Sequence, residues 1–287
     1  MLVTMNEVLK DAKNGHYAVG LFNAVSLEYA QGIIAAAEET NSPVIFGTAE
    51  VFLPHNSLED LALILIPMAK RAKVPVVVHL DHGLRKETCE KALKLGFSSI
   101  MYDCSGEPFD VNCEKVKEIA DLAHSYGASV EGEIGHVGEA GDITTAADLA
   151  NAAKFHTKPE EAKEFVERTG VDALAVAVGT AHGAYKLPPK LDFDRIRAIA
   201  AAVDTPLVLH GGSGLTDDDF RMAIQAGIAK VNIFTDINVA AMEAVLRDFR
   251  SMKHGMLELL PSIRSAVKES TRAKLELFGS CGHGGMN

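Results

Sequence analysis

Short apolar runs alternate along the chain with longer segments in which apolar residues recur every three or four positions. The runs are continuously apolar, which is typical of strands buried on both faces of a parallel sheet. The longer segments have helical spacing, and several end in Gly or Asn, as helix C-termini often do. The eight predicted strands are "YAVGLFNA", "PVIFGTA", "PVVVHLDH", "SSIMYD", "SVEGEIG", "ALAVAVG", "PLVLHGG" and "KVNIFT".

This regular alternation of strand and helix predicts an α/β fold with a parallel sheet. Eight such units match the (β/α)8 TIM barrel, and 287 residues fall in the range of one barrel domain, residues 1–287. A doubly wound open sheet is the alternative that the pattern leaves open. The glycine-rich tail from about residue 279, "GSCGHGG", is expected to be disordered, so its His283 is not expected to bind a metal.

The composition excludes several classes of protein. Hydrophobic residues make up 47% of the chain, enough for a sizeable core, and the net charge of -11 argues against nucleic acid or an anionic membrane as partner. Four cysteines without CxxC spacing suggest reduced thiols. The start lacks the apolar stretch of a signal peptide, and "LALILIPMA" is too short to span a bilayer. We therefore expect a cytoplasmic globular protein.

Polar side chains recur at or near the ends of the predicted strands. In a barrel, the loops that follow the strands form one mouth where active-site groups collect. We therefore expect side chains that are distant in sequence to converge there. They are Asp81, His82, Asp103, Glu131, Glu133, His182 and His210.

Three of these residues form a candidate zinc site: His82, His182 and His210. Three imidazoles with an open coordination position are suited to a catalytic zinc. Any one of them alone is more often an ordinary half-buried histidine. Their common position at or just after strands favours the metal. His79 is expected to point into the barrel as a packed, hydrogen-bonded ring.

Two glycine-bearing turns, "GTAHGAYK" and "HGGSG", indicate a phosphate site. Glycine lets backbone N–H groups approach a phosphate, and the loops after strands seven and eight are the usual phosphate site of barrels. A short "GGSG" alone is a weak indication. The predicted phosphate-binding residues are Gly183, Lys186, Gly211, Ser213, Asn232 and Thr235.

Several motifs resemble one known family. "HLDHG", "SSIMYDCS", "VEGEIG", "GTAHGAYK", "LHGGSG", "VNIFTD" and the closing "LFGS" are similar, in the same order over nearly the whole chain, to class II ketose-bisphosphate aldolases. That family includes zinc-dependent fructose-bisphosphate and tagatose-bisphosphate aldolases. The resemblance implies a lyase that reversibly cleaves a ketose phosphate or bisphosphate to dihydroxyacetone phosphate and an aldehyde.

The resemblance also implies roles for individual residues. His82, His182 and His210 would hold one catalytic Zn²⁺, and Asp81 would transfer a proton at the aldehyde oxygen. Asp103 and Glu133 match alternative metal positions, used when the zinc moves or a second divalent or monovalent cation binds. Asn23 matches an asparagine near the reacting centre. The triose-phosphate site of the family matches Gly183, Gly211, Ser213, Asn232 and Thr235.

The chain departs from the family in three places. The loop that usually reads close to "GGxED" is "VGEAGD" here, so that Glu139 or Asp142 would have to replace the usual proton-abstracting Glu, and Glu139 is the residue assigned. Asn238 stands where Arg or Lys is common. Ala49 and Glu50 stand at positions where small hydroxyl residues of the family often bind the far phosphate of the substrate. These changes weaken the case for a second phosphate.

Two other functions remain alternatives at this point. One is a catalytically altered barrel that binds a sugar phosphate, and the other is a zinc hydrolase, although "GLFNAVS" lacks the His-x-His of those enzymes. The expected partner is a small-molecule sugar phosphate. The family resemblance also implies a homodimer or homotetramer, in which a residue of a neighbouring subunit sometimes reaches the far end of the substrate.

Overall fold

A closed barrel of eight parallel strands forms the centre of the computed structural model, which describes residues 1–135, 137, 145, 148, 155–181, 189–251 and 255–285. Each strand pairs with the next, and β1 pairs with β8. This confirms the (β/α)8 prediction and excludes the open sheet. The strands are β1 Val19–Asn23, β2 Val44–Ala49, β3 Val76–Gly83, β4 Ser99–Tyr102, β5 Ser129–Ile134, β6 Ala173–Val176, β7 Leu207–Leu209 and β8 Ile228–Ile233.

Helices surround the barrel, and capping side chains mark the starts of two of them. Thr216 and Asp219 form a capping box at the start of one helix, and Ser57 accepts a hydrogen bond from Asp60 N at another. Among the described residues, the helices are α1 Met5–Gly15, α2 Leu27–Thr40, α3 Leu58–Arg71, α4 Lys86–Leu95, α5 Phe109–Ser125, α6 Pro159–Thr169, α7 Phe193–Ala202, α8 Asp217–Ala226, α9 Thr235–Asp248 and α10 Leu259–Leu277. None of them combines the length and apolarity needed to cross a bilayer.

The interior of the barrel changes from apolar to polar along its axis. Met5 and Leu9 of α1 belong to the same buried cluster as Leu21, Val77 and other strand side chains, so α1 closes the N-terminal end. Towards the C-terminal ends of the strands, the barrel interior next contains a fully buried polar layer. The polar C-terminal end of the barrel follows it. The polar layer consists of His79, Ser99, Glu131 and Lys230, each with 0% exposure. The expectation that His79 packs inside the barrel as a hydrogen-bonded ring is confirmed.

The glycine-rich tail packs against the barrel, which corrects the expectation of disorder. The backbone N–H groups of Gly282 and Gly284 donate to the carbonyls of Thr40 and Asn41 at the end of α2. The His283 ring stacks on Tyr17, with the ring centroids 4.0 Å apart. Backbone hydrogen bonds and ring stacking therefore order a segment whose composition alone suggested disorder.

Candidate active site

A cavity of about 520 Å³ opens at the C-terminal end of the barrel, and we call it the mouth. Its walls come from strand ends and the turns that follow them, as the barrel prediction required. They include Asn23, Asp81, His82, Asp103, Gly211, Ser213, Asn232 and Thr235 from the predicted site. His182, Gly183 and Lys186 lie outside the described residues, as does the loop residue Glu139.

Asp81 is held by amides on both of its carboxylate oxygens. Asn23 Nδ2 donates to Oδ2 at 3.0 Å, and Asn232 Nδ2 donates to Oδ1 at 2.9 Å. Burial alone would raise the pKa of the Asp81 carboxyl, but the nearby positive charges, of which His82 contributes most, lower it overall. Asp81 is therefore an ionised, fixed carboxylate that can accept a proton.

His82 reaches the mouth because the strand is irregular at this point. Successive side chains of a regular strand point to opposite faces, yet Asp81 and His82 both line the cavity. The pairing of β3 with β4 shifts register between Leu80 and Gly83, and His82 has a left-handed φ of 44°. Such strain in a residue other than glycine is typical of functional sites. It turns the imidazole towards the cavity.

A carboxylate orients the His82 ring. Its Nδ1 lies 2.8 Å from Asp103 Oδ2, and Asp103 Oδ1 accepts hydrogen bonds from the backbone and hydroxyl of Ser105. Burial and the charge of His210 lower the pKa of His82, but the carboxylates of Asp81 and Asp103 raise it overall. The other ring nitrogen, Nε2, lies 4.0 Å from Asp81 Oδ1.

His210 lies between two buried carboxylates. Its Nε2 is 2.8 Å from Glu131 Oε1, and its Nδ1 is 2.9 Å from Glu133 Oε2. Burial opposes the charged ring, but the bonds to Glu131 and Glu133 outweigh burial and raise the pKa of His210 to about 10. A metal ion that binds at Nδ1 must therefore displace the proton shared with Glu133.

The donor groups at the mouth are close enough to hold a divalent cation. Ligand atoms of Asp81, His82 and His210 lie within 4.8 Å of one another, and so do those of His82, Asp103 and Glu133. Imidazole and carboxylate donors are suited to zinc. The predicted metal ligands that the structure describes therefore fit such an ion. His82 belongs to both groups of ligand atoms.

The turn after β7 forms the side of the mouth predicted to bind phosphate. Gly211 has a φ of 65°, and a Cβ atom there would come 2.3 Å from the carbonyl oxygen of Ala181. Only glycine fits so close to the neighbouring turn. Ser213 and Thr235 line the same cavity, and Thr235 begins α9, whose N-terminus favours an anion.

The opposite side of the mouth differs from the sequence expectation, which placed the Glu50 carboxylate against the substrate. Glu50 is buried and does not line the cavity. Its oxygens accept hydrogen bonds from the N–H groups of Leu84 and Arg85, from Arg85 Nε and from Thr88 Oγ1. Asn238 accepts a hydrogen bond from the Tyr29 hydroxyl. The Glu50 charge is therefore compensated within the protein, by the two N–H groups just before α4 and by the Arg85 side chain.

Apolar side chains form this opposite wall instead. Val51, Phe52, Leu84 and Phe234 line the cavity, and the rings of Phe52 and Phe234 lie 4.5 Å apart. Among the described residues that line the mouth there is no lysine or arginine.

Lys230 is a residue of the site that the sequence analysis missed. Its Nζ donates to Glu131 Oε2 at 2.7 Å, behind His210. The sequence did contain a sign of this residue. Lys230 lies two positions before Asn232 on the same strand, so both side chains face the same side of the sheet. A charged residue inside an apolar strand is a sign of a buried partner.

The chain is similar to known proteins over nearly its whole length. The family model described as "Fructose-bisphosphate aldolase class-II" matches residues 3–283. The protein YdjI of Escherichia coli K12 is 43% identical over 282 residues, which cover 98% of this chain and 99% of YdjI. A fructose-bisphosphate aldolase of Staphylococcus epidermidis is 38% identical over 293 residues, which cover 97% of this chain and 98% of the relative.

Solved structures agree with the sequence comparisons. The crystal structure of the YdjI aldolase superposes with a TM-score of 0.89 at 40% identity, covering 99% of this chain and 100% of the other. The fructose-bisphosphate aldolase of Campylobacter jejuni superposes with a TM-score of 0.78 at 24% identity, covering 98% and 96%, and this likeness shows the fold.

Proposed function

The chain belongs to the class-II fructose-bisphosphate aldolase family, and from this membership we propose that it is a zinc-dependent aldolase acting on a ketose phosphate or bisphosphate. Its products would be dihydroxyacetone phosphate and an aldehyde. The observation that carries this proposal is the convergence of Asp81, His82 and His210, whose ligand atoms lie within 4.8 Å of one another. Aldolases of this family are carbon–carbon lyases, so the enzyme class follows from the family.

The zinc ion would be held by His82, His182 and His210, with Asp103 and Glu133 as ligands of an alternative or second cation position. Zinc supplies a Lewis acid that stabilises the negative charge developing beside the ketone. His82 would present Nε2, since its Nδ1 is engaged by Asp103. His210 would present Nδ1 in place of the proton that this nitrogen shares with Glu133, since its Nε2 is held by Glu131.

Asp81 is the proton-transfer group of this proposal. As a base it takes the proton from the hydroxyl that becomes the aldehyde oxygen, and it returns that proton in the condensation direction. Asn23 and Asn232 hold both of its oxygens, so the carboxylate is oriented before the substrate arrives. Glu139 is proposed as the loop base that acts on the triose phosphate.

The triose phosphate is proposed to lie on the β7 and β8 side of the mouth. The bare backbone at Gly211 and the N-terminus of α9 at Thr235 are suited to a phosphate. Lys186 would add positive charge. The full set proposed to bind substrate is Asn23, Gly183, Lys186, Gly211, Ser213, Asn232 and Thr235.

The aldehyde is proposed to lie on the opposite side, against Val51, Phe52 and Leu84. A second phosphate needs charge-assisted donors, and no described residue of this wall carries a positive charge into the cavity. The preferred aldehyde is therefore not simply glyceraldehyde phosphate. The apolar wall carries this proposal, since the Glu50 carboxylate does not line the cavity.

The protein is further proposed to be a cytoplasmic homodimer or homotetramer. The exposed face of α9 supports an interface between copies, because Val239, Met242, Leu246 and Phe249 recur at helical spacing. We call these four residues the α9 stripe. Contiguous exposed apolar surface of this kind marks interaction sites.

One experiment separates this function from its two rivals. Metal content and aldol cleavage of ketose phosphates are measured on the same preparation. Zinc together with cleavage supports the aldolase. Zinc without cleavage, but with ester or amide hydrolysis, would indicate a hydrolase, and sugar-phosphate binding without turnover would indicate a catalytically altered barrel.

A further inference from the structure

We infer that Lys230 and Glu131 form a positioning pair that sets which nitrogen of His210 faces the mouth, an inference that rests on the proposed metal centre. Neither residue lines the cavity among the described contacts. Both lie behind His210, inside the barrel. Their role would be exerted through the imidazole and not on the substrate.

The pair connects to His210 through one carboxylate. Glu131 Oε1 lies 2.8 Å from His210 Nε2, while Glu131 Oε2 accepts the Lys230 ammonium at 2.7 Å. Each oxygen thus has its own partner, and the carboxylate cannot rotate without breaking both contacts. Because Nε2 donates to Glu131, Nδ1 is the nitrogen turned to Glu133, 2.9 Å from its Oε2, and is the one that an ion could reach by displacing the shared proton. A carboxylate behind a ligating histidine fixes its tautomer and ring orientation in this way.

The surroundings make the two charges depend on each other. Glu131, Lys230 and His210 have 0% exposed side chains, so water cannot solvate either charge. His79 is the other close neighbour in the polar layer, with Nε2 3.9 Å from Glu131 Oε2 and Nδ1 bonded to Ser99. A buried ion pair is often no more stabilising than apolar residues of similar volume. The presence of the Lys230–Glu131 pair beside His210, a proposed metal ligand, therefore indicates a role besides stability.

Strand β8 carries two residues that position both His210 and the proton-transfer group Asp81. Lys230 and Asn232 lie two positions apart and face the barrel interior, where Lys230 contacts Glu131 and Asn232 contacts Asp81. One strand therefore holds both His210, through Glu131, and Asp81 directly. A shift of β8 would misalign both groups together.

The test measures zinc affinity and stability in two variants. Lys230→Met removes the ammonium and leaves the Glu131 charge buried without it. The double variant Lys230→Met/Glu131→Leu removes both charges, and with them the acceptor at His210 Nε2, while keeping similar side-chain volumes. Zinc affinity is measured by competition with a chromophoric chelator, the ligand field by the visible spectrum of the cobalt-substituted protein, and stability by thermal unfolding. Lys268→Met, which breaks the Lys268–Glu39 ion pair between α10 and α2, is the matched control.

We expect Lys230→Met to lose both stability and zinc affinity, the latter by about 10–100-fold, the usual effect of losing such outer partners. The double variant should regain stability, because no lone charge is buried, but its zinc affinity should stay low and its cobalt spectrum altered. If Lys230→Met does not fold, the double variant carries the test alone. The control should bind zinc as the wild type does.

Two results would overturn the inference. One is wild-type zinc affinity in the double variant, which would make the pair purely structural. The other is a wild-type chain that takes up no zinc, which would refute the proposed metal centre and the inference with it. The two failures are distinguishable, since the first requires a wild type that binds zinc.

Discussion

The rings of His82 and His210 meet edge to face at the mouth, with centroids 4.5 Å apart and ring planes inclined at 63°. His82 lies on β3 and His210 follows β7, and carboxylates contact both rings: Asp103 at His82, and Glu131 and Glu133 at His210. In this arrangement an ion shared by the two rings would replace the proton between His210 Nδ1 and Glu133. The predictions below start from it.

Zinc should depend on His210. The variant His210→Ala removes one of three nitrogen ligands, so we expect the metal content to fall from about one zinc per chain to near zero, together with activity. Metal analysis after dialysis measures this. His283→Ala, at the opposite end of the barrel, is the control and should keep its zinc. Full occupancy with normal turnover in His210→Ala would exclude His210 as a ligand.

Asp81 should matter for proton transfer more than for metal binding. Asp81→Ala removes the carboxylate but leaves the histidines, so zinc and triose-phosphate affinity should persist while kcat falls by roughly 10²–10⁴-fold. Steady-state kinetics and metal analysis on one preparation measure both. Asp218→Ala on the surface of α8 should change neither. Loss of zinc from Asp81→Ala would instead identify Asp81 as a ligand.

Glu50 should stabilise the protein at neutral pH and lose that effect in acid. Burial raises the pKa of its carboxyl, but the bonds from Arg85, Leu84 and Thr88 lower it below the ordinary value of 4.5. The contribution is therefore fully present above pH 4.5 and is lost as the pH falls through the folded-state pKa.

The variant Glu50→Gln tests this pH dependence. At pH 7 it should be less stable than the wild type by about 1–3 kcal/mol, because charge-assisted bonds to a buried carboxylate are lost. The difference should shrink below the folded-state pKa, as measured by urea unfolding. Glu118→Gln removes an exposed ion pair with Lys86 and should change stability much less, because solvent screens exposed charges. A constant difference at all pH values would contradict the assignment.

Aldehyde choice should reflect the apolar wall. With dihydroxyacetone phosphate as donor, the kcat/KM for glyceraldehyde phosphate should not greatly exceed that for unphosphorylated aldehydes. A competition assay in the condensation direction measures the ratio. A preference for glyceraldehyde phosphate of several orders of magnitude would show that a cation from another subunit, or from residues outside the described ranges, completes a second phosphate site.

The α9 stripe should hold copies of the chain together. Leu246 is 66% exposed, and Leu246→Glu places a charge in the proposed interface, so we expect the molar mass in solution to fall to that of a monomer. Light scattering after gel filtration measures it. Leu63→Glu on α3, at 76% exposure, is a matched control and should leave the mass unchanged. An unchanged mass in Leu246→Glu would place the interface elsewhere.

Patterning and residue type predicted most of the fold and much of the mouth. Continuous apolar runs identified all eight strands, and the rule that barrel sites lie at strand ends brought Asp81, His82 and His210 together. The strained backbone at His82 could not be predicted, because period-2 alternation places it opposite Asp81. The orientation of Glu50 depends on the N–H groups of Leu84 and Arg85 just before α4, a tertiary contact that the sequence around Glu50 does not indicate.

The Gly211 turn has a consequence for how this enzyme could diversify. Its close approach to Ala181 leaves no room for a side chain, so this end of the mouth is built from backbone that tolerates almost no substitution. Val51 and Leu84 at the other end are 58% and 51% exposed, and exchanges at such positions usually change stability by less than about 0.5 kcal/mol. Laboratory evolution can therefore vary the apolar end of the mouth through these two positions while the Gly211 turn stays constant.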